Sequence, residues 1–189
     1  MKSMTAEVRT RSNYSAGISI VFPPKTGTRS IVEWSNKNGF KGDPNPDFTN
    51  QTVVCLYRNF RDRIASGVVQ WLASKGRKDL ATIKDNWHLV DEHWPQIYNC
   101  NTHLVPIQGW VKPSRVDIAI HTDHLTEEMN KIAKQYGFTE FDSHENKTQS
   151  ELLDYAHSRI TESMWQQIES DSVYKIEVKT CTDWQTLIT

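Results

Sequence analysis

Six consecutive residues, Lys25-Thr26-Gly27-Thr28-Arg29-Ser30, combine two cations, three hydroxyls and a glycine directly after Pro23-Pro24. That set suits the grip of an oxyanion. Lysine brings a full positive charge, hydroxyls donate, and glycine lets the backbone come close to a ligand. The apolar run Ile18 to Phe22 before the prolines predicts a buried strand, and Ile31, Val32 and Trp34 after them predict a helix. A strand, a tight turn and a helix N-terminus present backbone N–H groups and the positive end of the helix dipole to an anion. The stretch is not a Walker A loop, G-x-x-x-x-G-K-[ST], because Lys25 precedes Gly27 instead of following a second glycine.

A second set lies about thirty residues further on. The apolar run Thr52 to Tyr57 predicts another buried strand, and Arg58-Asn59-Phe60-Arg61-Asp62-Arg63-Ile64-Ala65-Ser66 follows it. Arg58 at a strand's carboxyl edge offers a planar fork for phosphate. Ser66 falls two helical turns later and can donate to the same group.

In this order the two sets resemble sulfotransferases that use 3′-phosphoadenosine 5′-phosphosulfate (PAPS). Pro-Lys-Thr-Gly-Thr-x-Ser is similar to their 5′-phosphosulfate loop, and Arg58 and Ser66 keep the spacing of a segment like R-D-P-x-x-R-x-x-S. The look is closest to the carbohydrate type, such as the heparan sulfate 2-O-sulfotransferases, over residues 18 to about 175. The resemblance implies an α/β, P-loop-like three-layer fold with a parallel sheet of about four or five strands flanked by helices. It implies PAPS as co-substrate, its desulfated form PAP as product, and no metal. Lys25, Thr26, Gly27, Thr28, Arg29 and Ser30 would hold the 5′-phosphosulfate, with Lys25 catalytic, and Arg58 and Ser66 the 3′-phosphate. A loop carrying His144, Asn146, Lys147 and Thr148 would fold over the nucleotide.

The acceptor would be a hydroxyl compound, a glycan or a small molecule, whose proton must leave as its oxygen attacks sulfur. A neutral imidazole suits that task. By resemblance His103 is the base, with His88, His93 or a glutamate as competitors. The chain departs from the family's pattern at three places. Arg29 stands where Thr or Ser is usual, Asn59-Phe60 replaces Asp-Pro, and Ile107 separates Pro106 from Gln108 near the candidate base. Two other readings stay open. One is a P-loop-like kinase using ATP and Mg²⁺, opposed by the position of Lys25 and by the lack of an aspartate where Thr52 to Tyr57 ends. The other is a non-catalytic module that binds PAP or a glycan.

The elements that must position these residues are largely readable. A chain of 189 residues predicts one domain, able to bury about two thirds of its unfolded surface. Residues 18–57 predict a βαβ unit, its helix ended by Asn36-Lys37-Asn38-Gly39. A helix from Phe60 carries Ile64, Val68, Trp71 and Leu72 on one face and closes near Lys75-Gly76. Asp79 to about His93 predicts a further helix, stopped by Pro95, and Tyr98 to Trp110 a loop. Arg115 to His121 predicts a strand, and Leu125, Met129, Ile132, Ala133 and Tyr136 a helix stopped by Gly137. Leu152, Leu153, Ala156, Ile160, Met164 and Ile168 make two more helical stripes, while Ser172 to Val178 fits helix or strand equally.

Composition removes several function classes. A net charge of −1 argues against bulk binding of nucleic acid or an anionic membrane. Cys55, Cys100 and Cys181 are odd in number and far apart, so neither a disulfide framework nor a zinc knuckle is indicated, and Cys55 reads as a core thiol. His121-x-x-His124 reads as structural rather than as a metal pair. Residues 1–17 read as a polar extension without a signal peptide's apolar core, which predicts a soluble, cytoplasmic chain. Trp87, Trp94 and Trp110 are the candidates for stacking on a sugar, although tryptophans of a small protein usually serve the core.

Overall fold

The computed structural model describes residues 9–76, 79–100, 104–142 and 150–186. In chain order the elements are β1 (Thr10–Asn13), β2 (Ile18–Val21), α1 (Thr28–Lys37), β3 (Lys41–Gly42), β4 (Thr52–Tyr57), α2 (Phe60–Ala73), α3 (Leu80–Asp85), α4 (His88–Cys100), β5 (Ile118–His121), α5 (Leu125–Tyr136), α6 (Ser150–Arg159), α7 (Glu162–Ser170) and α8 (Ser172–Thr186). They fall into two compact units. The described residues of the first are 9–57 and 110–142, and those of the second are 58–76, 79–100, 104–109 and 150–186.

The first unit is α/β. Its sheet runs β3-β1-β2-β4-β5. The three strands β2, β4 and β5 are parallel, with Val21 opposite Cys55 and Tyr57 opposite His121. The predicted βαβ unit is therefore β2-α1-β4. The sheet is mixed rather than all parallel, because β1 pairs antiparallel with both β2 and β3. This also corrects the reading of residues 1–17 as a polar extension, since Thr10–Asn13 is a strand. Thr-Arg-Ser-Asn lacks apolar residues but alternates buried and half-buried positions. Its buried hydroxyl is satisfied by Ser19, whose Oγ donates to Ser12 Oγ at 2.9 Å. Covering the edge of β2 also closes a row of unpaired backbone groups.

One face of the sheet is apolar and packs on α1 and α5. Ile18, Ile20, Val54, Leu56 and Ile120 meet Ile31, Trp34, Leu125, Met129 and Ile132. Both helices end as expected. Gly39 takes φ 74° after α1, where Phe40 N–H reaches Ser35 O at 3.0 Å, and Gly137 takes φ 69° after α5. The strand predicted over Arg115 to His121 is shorter. Pro113–Arg115 is a turn of 3₁₀ helix, and Asp117 accepts the Val53 N–H at 2.8 Å just before β5 begins.

The second unit is helical, with a core of Phe60, Ile64, Val68, Leu72, Trp87, Trp94, Leu152, Ala156, Trp165 and Tyr174 among others. Trp87 and Trp94 are 1% and 3% exposed, which makes them core residues and not sugar platforms. The single helix expected over Asp79 to His93 is two. Asp79 caps α3 by accepting the Thr82 N–H at 2.9 Å, and α4 starts afresh at His88. Helix α4 also runs past Pro95 instead of stopping there. Its backbone breaks at His93 (φ −120°), so Pro95 falls in the first turn of the continuing segment, where a missing N–H costs nothing. The loop expected from Tyr98 is helical to Cys100, and a 3₁₀ turn spans Ile107–Gly109. The undecided stretch from Ser172 is helix α8. Among the described residues no helix is long and apolar enough to cross a membrane.

Candidate functional site

The anion loop is built by the end of β2. Phe22 N–H still pairs with Arg9 O at 3.0 Å, and then two prolines, lacking N–H groups, end the ladder. The next turn needs two left-handed residues, Lys25 (φ 72°) and Gly27 (φ 85°). Glycine adopts that conformation freely, whereas lysine does so at a cost of about 1–2 kcal/mol. Two positive-φ residues on either side of Thr26 make a tight turn directly before the helix. Thr26, between them, is buried, and its hydroxyl donates to Pro23 O at 2.6 Å, tying the loop to the strand end.

Gly27 is the N-cap of α1. It gives no side-chain cap, and the first turn contains no acidic residue. By contrast α2, α3 and α7 are capped by Asn59, Asp79 and Thr161. A β-carbon on Gly27 would stand 2.8 Å from Leu125 Cδ2, so the start of α5 packs against the loop, and any other residue would have to displace that side chain and bear the strain of φ 85°. Gly27 and Arg29 are exposed, Lys25 and Thr28 half-buried, and Ser30 buried. The structure thus gives the six residues distinct places. Thr26 braces the loop inward, while Lys25, Gly27, Thr28 and Arg29 are accessible at its surface.

Arg9 escapes the sequence reading, and His121 reads there only as structural. Arg9, 6% exposed, donates from Nη1 to Thr28 Oγ1 at 2.8 Å. Burial lowers its pKa from the ordinary guanidinium value. No local signal marks Arg9, since its neighbourhood is created by the β1–β2 pairing. His121 ends β5, at the carboxyl edge where ligands of parallel sheets bind. Its ring stands edge-on to Tyr57, with centroids 5.1 Å apart. His121 Nδ1 faces Asp123 twice, 3.3 Å from its backbone N–H and 3.5 Å from its carboxylate. The 3.6-residue and two-residue periodicities do not reveal it, but its position at a strand end does.

Comparison with protein-family models, curated proteins and solved structures finds no match. The site therefore rests on its own residues.

In the second unit, the three arginines after β4 separate by partner. Arg61 binds Glu169 at 2.7 Å and Glu162 at 3.0 Å. Arg63 is fully buried on Glu177, with both bonds at 2.7 Å. Among the described residues Arg58 pairs with the loosely placed carboxylate of Asp62, at 4.0 Å and 39% exposed, which is also held by His157 Nε2 at 2.8 Å. An ion pair so exposed is worth little, so Arg58 is the arginine whose charge remains available to a ligand. Ser66 lies on the buried side of α2, 1% exposed. The competing bases are solvent-facing. His88 Nδ1 lies 3.0 Å from Asp85 O, and His93 Nε2 lies 3.9 Å from Glu92. His103 and the loop residues His144, Asn146, Lys147 and Thr148 lie outside the described residues.

Proposed function

We propose that this chain transfers a sulfuryl group from PAPS to a hydroxyl acceptor, with a carbohydrate as the favoured class, and that its first unit is a P-loop-like fold. The observation that carries the reading is the loop after β2, where left-handed Lys25 and Gly27 precede a helix whose N-terminus has neither a side-chain cap nor an acidic residue. Such a terminus favours a phosphate or sulfate ester over a neutral ligand. Lys25 then supplies charge where the leaving group develops it. The acceptor oxygen bonds to sulfur as the bond from sulfur to the bridging oxygen breaks, and that electron pair departs with PAP. Transition states of this kind are loose, so positioning and electrostatics supply the rate. The acceptor's proton passes to a base, for which His103 is the candidate by resemblance. Arg58, the least neutralised arginine of its run, is assigned with Ser66 to the 3′-phosphate on their spacing.

Incubation with PAPS labelled at sulfur, over a panel of oligosaccharides and simple alcohols, tests the proposal. Label should pass to an acceptor without added Mg²⁺. Transfer of the γ-phosphoryl group of ATP, dependent on Mg²⁺, would overturn it in favour of a kinase. Tight PAP binding with no transfer to any acceptor would reduce the chain to a binding module.

A further inference from the structure

We infer that Arg9 is a positioning residue of the anion loop, which holds the Thr28 hydroxyl so that its proton is presented to the bound anion. The inference rests on the proposed reading of the loop as the phosphosulfate site. Arg9 is fixed at both ends. Its carbonyl accepts the Phe22 N–H at 3.0 Å, one residue before the prolines, and its Nη1 reaches Thr28 Oγ1 at 2.8 Å. A guanidinium can only donate, so Thr28 Oγ1 is the acceptor in this bond. A hydroxyl has one proton and two lone pairs. With one lone pair filled by Arg9, the proton is turned away from the guanidinium.

Thr28 is the first residue of α1, immediately after Gly27, and its side chain is half-buried rather than closed off. The hydroxyl proton is therefore left to be donated elsewhere, and an anion at the uncapped first turn of α1 would take it together with the backbone N–H groups there. The charge of Arg9 acts in the same direction. A buried guanidinium lies in a medium where its field is weakly screened, and an anion on the loop would offset part of its desolvation. Arg9 also stabilises the fold by joining β1 to α1, so the test must separate the two roles.

Calorimetric titration with PAP, together with thermal unfolding, should be run on the wild type, Arg9→Gln, Thr28→Val and the double variant. Loss of one charge-assisted bond corresponds to about tenfold or more in affinity. Each single variant should weaken PAP by about that factor, and the double variant by little more than either, because both remove the same donor. Thr28→Val takes this acceptor from the buried Arg9 and should unfold a few degrees early, whereas Thr28→Ser keeps the hydroxyl and should hold both midpoint and affinity near wild type, which keeps the test valid if Arg9→Gln folds poorly. PAP affinity within about twofold of wild type in Thr28→Val, or losses that multiply in the double variant, would overturn the role of Arg9 while leaving the anion loop intact. A wild-type chain that binds no PAP would remove both this role and the reading beneath it.

Discussion

Lys25→Ala is expected to cut turnover by about 10²–10³-fold, the usual effect of removing one preorganised donor to developing charge. The thermal midpoint should stay within about 2 °C of wild type. The reason lies in the backbone. Lys25 sits at φ 72°, and alanine carries the same β-carbon, so the left-handed cost is unchanged by the substitution. The side chain is half-buried and outside the apolar layer, so its removal leaves no cavity there. Lys25→Gly should lose as much activity while relieving the strain, for a gain of about 1 kcal/mol at most after the entropy glycine adds to the unfolded chain. Retention of strain at a residue that glycine would serve better is what a functional side chain requires. Turnover within a few-fold of wild type in Lys25→Ala would remove the lysine from the mechanism.

The largest stability effect is expected at Glu177. Its carboxylate takes both Arg63 bonds at 2.7 Å, and neither side chain is exposed. Burial pushes the Glu177 carboxyl above its ordinary pKa, against the opposing pull of Arg63. The ion pair is thus held at a desolvation cost that its mutual attraction must offset. Glu177→Ala leaves the Arg63 guanidinium in the helical core without its carboxylate, and urea unfolding should show a loss of about 3–5 kcal/mol. That is a large part of the total for most domains. Arg63→Met combined with Glu177→Leu should recover most of it, because no charge is then stranded. A loss under about 1 kcal/mol in the single variant would mean that Arg63 finds water or another acceptor.

The same pair explains why part of the fold was hard to read. The buried face of α8 is Tyr174, Glu177, Thr180 and Cys181, which keeps helical spacing but not helical hydrophobicity. The stretch from Ser172 therefore fitted helix and strand equally. Strand β1 hid for a related reason, since Thr10 and Ser12 are buried polar residues whose value depends on partners in other strands. In contrast β2, α1 and β4 were legible because apolar runs, prolines and Gly39 act locally. Of the candidate site, the loop residues and Arg58 were visible as residue types in a pattern. Arg9 was not, because strand pairing gives it its place, and His121 was legible only as the end of a strand. Pro95 misled for a simple physical reason: a proline breaks a helix only where an N–H would have been used.

The central claim, that the chain recognises an adenosine carrying both a 5′- and a 3′-phosphate, is tested most directly by calorimetry with PAP against AMP, which differ only in the 3′-phosphate. PAP should bind about ten- to a hundredfold more tightly without Mg²⁺, and Arg58→Ala should erase most of that difference while leaving AMP unaffected. Equal affinities for PAP and AMP, or a difference that survives Arg58→Ala, would contradict it.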